Sequence, residues 1–217
     1  MSALTPDSPV GQEILQSRLL AVLVIDDVDA AVPVAEALMA GGVKAMELTL
    51  RTDSALDAAK KIRTELPEMM LGIGTVITED QVVQVADTGA KFAVSPGVNP
   101  AIIRKAASLD LPFGPGVMTP TDIDVAVREG CRLLKFFPAE SSGGLKHLKN
   151  ISAPYAHLGL KFVPLGGIST ANLTEYLGND LIGAVGGSWL APRETIRDKN
   201  WKQIEENART AIGLIEQ

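Results

Sequence analysis

Eight short apolar runs, each followed by a helix-forming stretch, recur along this 217-residue chain. The runs are LLAVLVI (19–25), KAMELTL (44–50), MLGIGTV (70–76), KFAVSP (91–96), PFGPGVM (112–118), RLLKFFP (132–138), KFVPLGG (161–167) and IGAVGGS (182–188). Each is the length of a buried strand. Helical patterns fill 28–40, 53–65, 78–87, 100–109, 120–129, 143–152, 170–178 and 199–216. Gly41-Gly42 supplies a C-cap signal, and the second helix stops before Pro67. Strands that alternate with helices imply parallel strands and right-handed crossovers. Eight such units predict an α/β fold of the (β/α)8 barrel type, with an open doubly wound sheet as the alternative. No linker, low-complexity tract or charge block interrupts the pattern. The expectation is one barrel domain over 1–217, with a short N-terminal extension and a C-terminal helix.

One residue conflicts with this pattern. RLLKFFP puts Lys135 among Leu133, Leu134, Phe136 and Phe137, and lysine is almost never fully buried without a partner. Strand side chains alternate in direction, so Leu133, Lys135 and Phe137 share one face. In the second run Glu47, Thr49 and Arg51 share a face, and Met46, Leu48 and Leu50 take the other. The outer face of a barrel strand packs on helices and wants the apolar set. Glu47, Arg51 and Lys135 therefore point into one interior, near its upper end. The strands end there in polar, Gly- and Pro-rich segments, at the face where such barrels hold their active sites.

That trio has a chemical meaning. A desolvated lysine gives up its proton more readily, and a neutral amine attacks a ketone to form a Schiff base. The iminium then draws electrons from a neighbouring bond. A carboxylate such as Glu47 can move the protons, and a guanidinium such as Arg51 can bind a substrate carboxylate bidentately. A buried Glu47–Lys135 ion pair without chemistry is the competing reading. PLGGIS and GGSW end the seventh and eighth strands, where barrels often hold a phosphate on backbone N–H groups. Gly166, Gly167, Gly187 and Ser188 are the candidates. Thr75 and Pro96, in GIGT and SPG, are weaker signals.

Composition narrows the class. Net charge is −6 and the pI about 5.0, which argues against a nucleic-acid partner. Cys131 is the only cysteine, so no intrachain disulfide forms. His147 and His157 match no metal-ligand spacing. The first eighteen residues do not read as a signal peptide, and the run 19–25 is too short to span a bilayer. The expected setting is cytoplasmic, away from membranes.

GGVKAMELTLRT, GIGTV, FAVSPG, LLKFFPAE, GGI and GGSWL follow one another across residues 19–192. In that order they resemble the bacterial 2-keto-3-deoxy-6-phosphogluconate (KDPG) and 4-hydroxy-2-oxoglutarate (KHG) aldolases. The resemblance implies a (β/α)8 barrel, usually a homotrimer, with no metal or organic cofactor. It implies a class I lyase that splits a phosphorylated 2-keto acid into pyruvate and D-glyceraldehyde 3-phosphate, the closing cleavage of the Entner–Doudoroff pathway. Lys135 matches the Schiff-base lysine and Glu47 the general acid/base. Arg51 and Thr75 match residues that hold the pyruvyl carboxylate, while Pro96 and Phe137 match residues that pack on the pyruvyl part. Gly166, Gly167 and Ser188 match the phosphate loops, and Gly187 adjoins them. The same chemistry on KHG or 6-phosphogalactonate substrates, and a silent phosphosugar-binding barrel, are the alternatives. Three departures bear on substrate. Acidic Asp26 and Asp27 lie where many relatives carry a cation, Leu165 replaces a common Thr, and GPGVMTP replaces a Ser-Thr.

Overall fold

A computed structural model describes residues 3–216. Its strands are β1 (Leu19–Leu23), β2 (Ala45–Thr49), β3 (Met70–Gly74), β4 (Phe92–Val94), β5 (Phe113–Gly114), β6 (Gly116–Val117), β7 (Leu133–Phe136), β8 (Lys161–Pro164) and β9 (Val185–Gly187). Every pairing between them is parallel. They form two curled arcs, one ordered β5-β4-β3-β2-β1-β9 and one ordered β6-β7-β8. The helices are α1 (Pro9–Ser17), α2 (Ala31–Ala40), α3 (Ala55–Glu65), α4 (Glu79–Ala86), α5 (Pro100–Ser108), α6 (Pro120–Arg128), α7 (Gly144–Ser152), α8 (Leu173–Leu177), α9 (Arg193–Arg197) and α10 (Trp201–Ile215). All eight strand runs and their helices are present, several of them shorter than the sequence pattern suggests.

The fifth run departs from its expected form. It is two short strands, not one, and the break is Pro115. Proline has no N–H to give a ladder. β5 pairs with β4, β6 pairs with β7, and the Pro115 carbonyl accepts from the Lys135 amide at 3.0 Å. The other seam is bridged by parallel contacts of Phe162 with Ile182 and of Leu165 with Gly186.

Alternation sorts the strand side chains into two buried clusters. Met46, Leu48, Leu134 and Phe136 join the helices in the larger one. Leu20, Phe92, Val94, Leu133 and Val163 make the smaller one, inside the curl, with Phe137 packed against it. The sequence pattern missed a structural role for the N-terminal segment. Ser8 caps α1, accepting from the Gly11 amide, and Pro9 starts the helix, where its lost N–H costs nothing. Ile14 of α1 and Leu4 then join the inner cluster. The Leu4 carbonyl accepts from the amides of Arg132 and Leu133, which ties the segment to β7.

Ile14→Ala should therefore cost about 2–5 kcal/mol, the range for truncating a buried aliphatic side chain. Urea denaturation measures it. A loss below about 0.5 kcal/mol, the scale of a surface substitution, would contradict the role of α1 as a closure of the inner core.

Candidate active site

Lys135 and Glu47 are 8% and 2% exposed, the two charged residues buried deepest among those described. β2 and β7 carry them into the interior by the alternation that sends Met46, Leu48, Leu134 and Phe136 outward. The Lys135 ammonium lies 2.8 Å from Glu47 Oε1 and 3.1 Å from Oε2. Its Nζ is 5.4 Å from the centroid of the Phe137 ring. Beneath the pair is a cavity of about 20 Å³ lined by Leu20, Phe92, Val94, Leu133 and Val163. That is room for one water. A lone buried charge would be costly, but this pair is neutral overall wherever its shared proton sits.

Glycine makes space for the carboxylate. A Cβ on Gly74 would stand 2.0 Å from Glu47 Oε1, and one on Gly72 would stand 2.1 Å from the Phe92 ring. The sequence pattern GIGT assigns Gly74 no role. The signal was available: Gly72 and Gly74 alternate on an inward face beside Glu47, where bulky side chains would otherwise fill the core.

At the upper rim, Arg51 and Thr75 meet. The Arg51 Nε donates to Thr75 Oγ1 at 3.4 Å. Arg51 lies two residues past the end of β2 and is exposed, so it stands at the mouth and not in the buried interior with Lys135. Thr75 has φ +63°, a left-handed backbone that a β-branched residue rarely adopts. Strain of that kind collects where a fold fixes functional groups. Pro96 is exposed after β4, and its carbonyl lies 2.1 Å from where a Gly116 Cβ would stand. Gly116 in turn is in register with Lys135. Only glycine there lets the Pro96 loop approach the lysine strand.

Gly166 and Gly167 have φ of +96° and +84°, and Ser188 is exposed after β9. A Cβ on Gly187 would lie 1.9 Å from the Trp189 ring. Leu165 faces the inner cluster, which makes the interior below this turn apolar. Asp26 and Asp27 supply no cation, but Asp26 collects two. Arg193 gives it Nε and Nη2 at 2.9 and 2.5 Å, and Arg197 gives Nε at 2.8 Å. Hydrogen bonds from the two arginines hold the Asp26 carboxyl far below the usual carboxylate range. The pattern of the sequence did not reveal this, because α9 was not expected. No group of three or more His, Cys, Asp or Glu that could hold a metal occurs among the described residues. No helix among them is long and apolar enough to cross a membrane.

The model of the family described as "KDPG and KHG aldolase" matches residues 10–207. The chain belongs to the KDPG and KHG aldolase family. The KHG/KDPG aldolase of Escherichia coli K12 is 39% identical over 191 residues, covering 88% of this chain and 89% of the relative. KDPG aldolase from Legionella pneumophila, solved with pyruvate captured as a covalent carbinolamine, has a TM-score of 0.89 and 37% identity, covering 94% of this chain and 98% of that one. The Zymomonas mobilis ZM4 enzyme, solved with 3-phosphoglycerate, has a TM-score of 0.87 and 35% identity, covering 94% of each chain.

Two measurements test this geometry in a KDPG and KHG aldolase family member. Gly74→Ala should displace the Glu47 carboxylate and cost about 1–3 kcal/mol, as overpacking does; a crystal structure with Glu47 unmoved would contradict the contact. Asp26 supplies the second. A carboxyl whose pKa is depressed on folding stabilises above the unfolded value, near 4, and loses that contribution as pH falls. Asp26→Asn should lower Tm at pH 7, and the deficit should shrink below pH 4. A deficit that is constant with pH would contradict the ion pairs.

Proposed function

We propose that this chain is a class I aldolase that cleaves 2-keto-3-deoxy-6-phosphogluconate to pyruvate and D-glyceraldehyde 3-phosphate. The observation that carries the reading is the buried contact of 2.8 Å between Lys135 and Glu47 in a member of this family. Glu47 takes the proton from Nζ, and the amine lone pair attacks the C2 carbonyl. Glu47 returns that proton to the carbinolamine hydroxyl, which leaves as water, and an iminium remains. Glu47 then accepts the C4 hydroxyl proton, directly or through a water. The C3–C4 bond breaks, its electrons move toward the iminium, and the aldehyde leaves. Protonation of the enamine at C3 and hydrolysis release pyruvate and restore Lys135. The iminium is the electron sink, so the scheme calls on no metal or organic cofactor.

In this proposal Arg51 and Thr75 hold the pyruvyl carboxylate at the mouth, and Pro96 and Phe137 pack on the pyruvyl part. Gly166, Gly167, Gly187 and Ser188 receive the phosphate. The 3-phosphoglycerate of the Zymomonas structure supports a phosphorylated ligand. The double name of the Escherichia coli relative supports 4-hydroxy-2-oxoglutarate as a second substrate. The reaction would be the closing cleavage of the Entner–Doudoroff pathway, in the cytoplasm, a setting supported by the free thiol of Cys131.

The proposed assembly goes further. The two arcs close into one (β/α)8 barrel domain, with 113–117 counted as a single interrupted strand. Continuity through Pro115 and the bridges at Phe162 and Leu165 support this. A homotrimer is supported by exposed apolar residues, Ile77 and Met118 among them.

Pyruvate release from KDPG, followed with a coupled assay, tests the roles. Lys135→Ala should abolish turnover. Glu47→Gln should lower kcat by about 10²–10⁴, the usual worth of a general acid/base, while some imine still forms. Full activity in either variant would contradict its assignment.

A further inference from the structure

The turn at Gly166–Gly167 is built on the segment that leaves the lysine strand. The Ala139 amide donates to the Leu165 carbonyl at 2.8 Å, and the Glu140 amide donates to the Gly166 carbonyl at 3.0 Å. A Cβ on Gly167 would stand 2.6 and 2.7 Å from Glu140 Cβ and Cγ, so the turn lies directly against the Glu140 side chain. The buried Tyr176 hydroxyl donates to Glu140 Oε1. Burial first, and the Glu140 hydrogen bond second, push the Tyr176 phenol up, so it stays a donor. Asn172, the residue before α8, donates its Nδ2 to the Gly167 carbonyl at 3.1 Å. Tyr176 lies four residues on, one helical turn further along the same face. α8 thus grips the turn twice, directly through Asn172 and indirectly through Tyr176 and Glu140.

We infer that Glu140 and Tyr176 form a clamp that fixes the Gly166–Gly167 turn relative to Lys135 and thereby sets selectivity for a phosphorylated aldehyde. The inference rests on the reading that this turn receives the phosphate. Glu140 and Tyr176 are positioning residues, since neither touches the reacting atoms. Glu140 is exposed apart from this contact, and its charge would repel a phosphate, so its contribution comes through the turn it braces. Lys135 and Glu140 are five residues apart on one strand exit, so movement of the turn changes the span between nucleophile and phosphate site.

The test compares D-glyceraldehyde 3-phosphate with unphosphorylated glyceraldehyde in the condensation direction, alongside solvent exchange of the pyruvate methyl protons. Tyr176→Phe and Glu140→Ala should each raise KM for the phosphorylated aldehyde about tenfold, since small misplacements of a positioning group carry penalties of that order or more. kcat/KM for glyceraldehyde and the pyruvate exchange rate should stay at wild-type values. Glu140→Gln keeps an acceptor for the Tyr176 hydroxyl and should recover most of the selectivity. An unchanged KM in both Tyr176→Phe and Glu140→Ala would overturn the clamp, as would an equal loss with both aldehydes. If Tyr176→Phe does not fold, Glu140→Ala decides, because it removes the same contact from an exposed side chain. Absence of pyruvate exchange in the wild-type protein would instead defeat the aldolase reading, independently of either variant.

Discussion

The Lys135–Glu47 contact governs the organisation of the interior. Burying an ammonium or a carboxylate alone costs several kcal/mol, and breaking a buried pair from one side typically costs about 3–5 kcal/mol. The two residues come from strands 88 positions apart in sequence, so only the curl of the sheet brings them together. Once they meet, the surroundings follow. Gly74 must lack a side chain to leave the carboxylate its place, and Gly72 must lack one to admit Phe92. Apolar Leu20, Phe92 and Val163 surround the cavity below, and Leu4 and Ile14 complete its lining from the N-terminal segment. Arg51, Thr75 and the glycine turn follow the C-terminal ends of β2, β3 and β8.

The mouth depends on that same frame. Its loops are short, and close approaches at glycines tie them together: Gly116 under the Pro96 carbonyl, and Gly167 against the Glu140 side chain. At the strand-one side Asp26 gathers Arg193 and Arg197. An acidic chain thereby places two guanidinium groups on the rim that carries the proposed phosphate turn, each with N–H groups left over from the aspartate. Asp26 is thus no loss of positive charge at the rim. It is the anchor that fixes where the positive charge sits.

Much of this was legible in the sequence because it follows from periodicity. The twofold alternation of KAMELTL and RLLKFFP predicts which side chains face inward, and Met46, Leu48, Leu134 and Phe136 do lie in the outer cluster. The identity of Lys135 as a misfit among apolar neighbours points to the site from sequence alone. Other features depend on contacts that no local pattern records. PFGPGVM looks like one strand, and only the missing N–H of Pro115 explains why it pairs on two sides. The sequence pattern marks the N-terminal segment only as an extension, because the partners that bury Ile14 lie on distant strands. Arg51 shares a face with Glu47 by counting, yet it has passed the end of β2, where alternation no longer fixes direction. Asp26 with its arginines, and Glu140 with Tyr176, join residues 36 to 171 positions apart. Their sequence signal is a charge or a phenol with no local purpose.

The most direct measurement is covalent trapping. The protein is incubated with pyruvate, reduced with borohydride, digested and mapped by mass spectrometry. A lysine nucleophile in this site predicts a single adduct on Lys135, heavier by pyruvate less one oxygen, and none in Lys135→Ala. An unmodified Lys135, or an adduct spread over surface lysines such as Lys44 and Lys146, would leave the buried contact with Glu47 as an ion pair without chemistry.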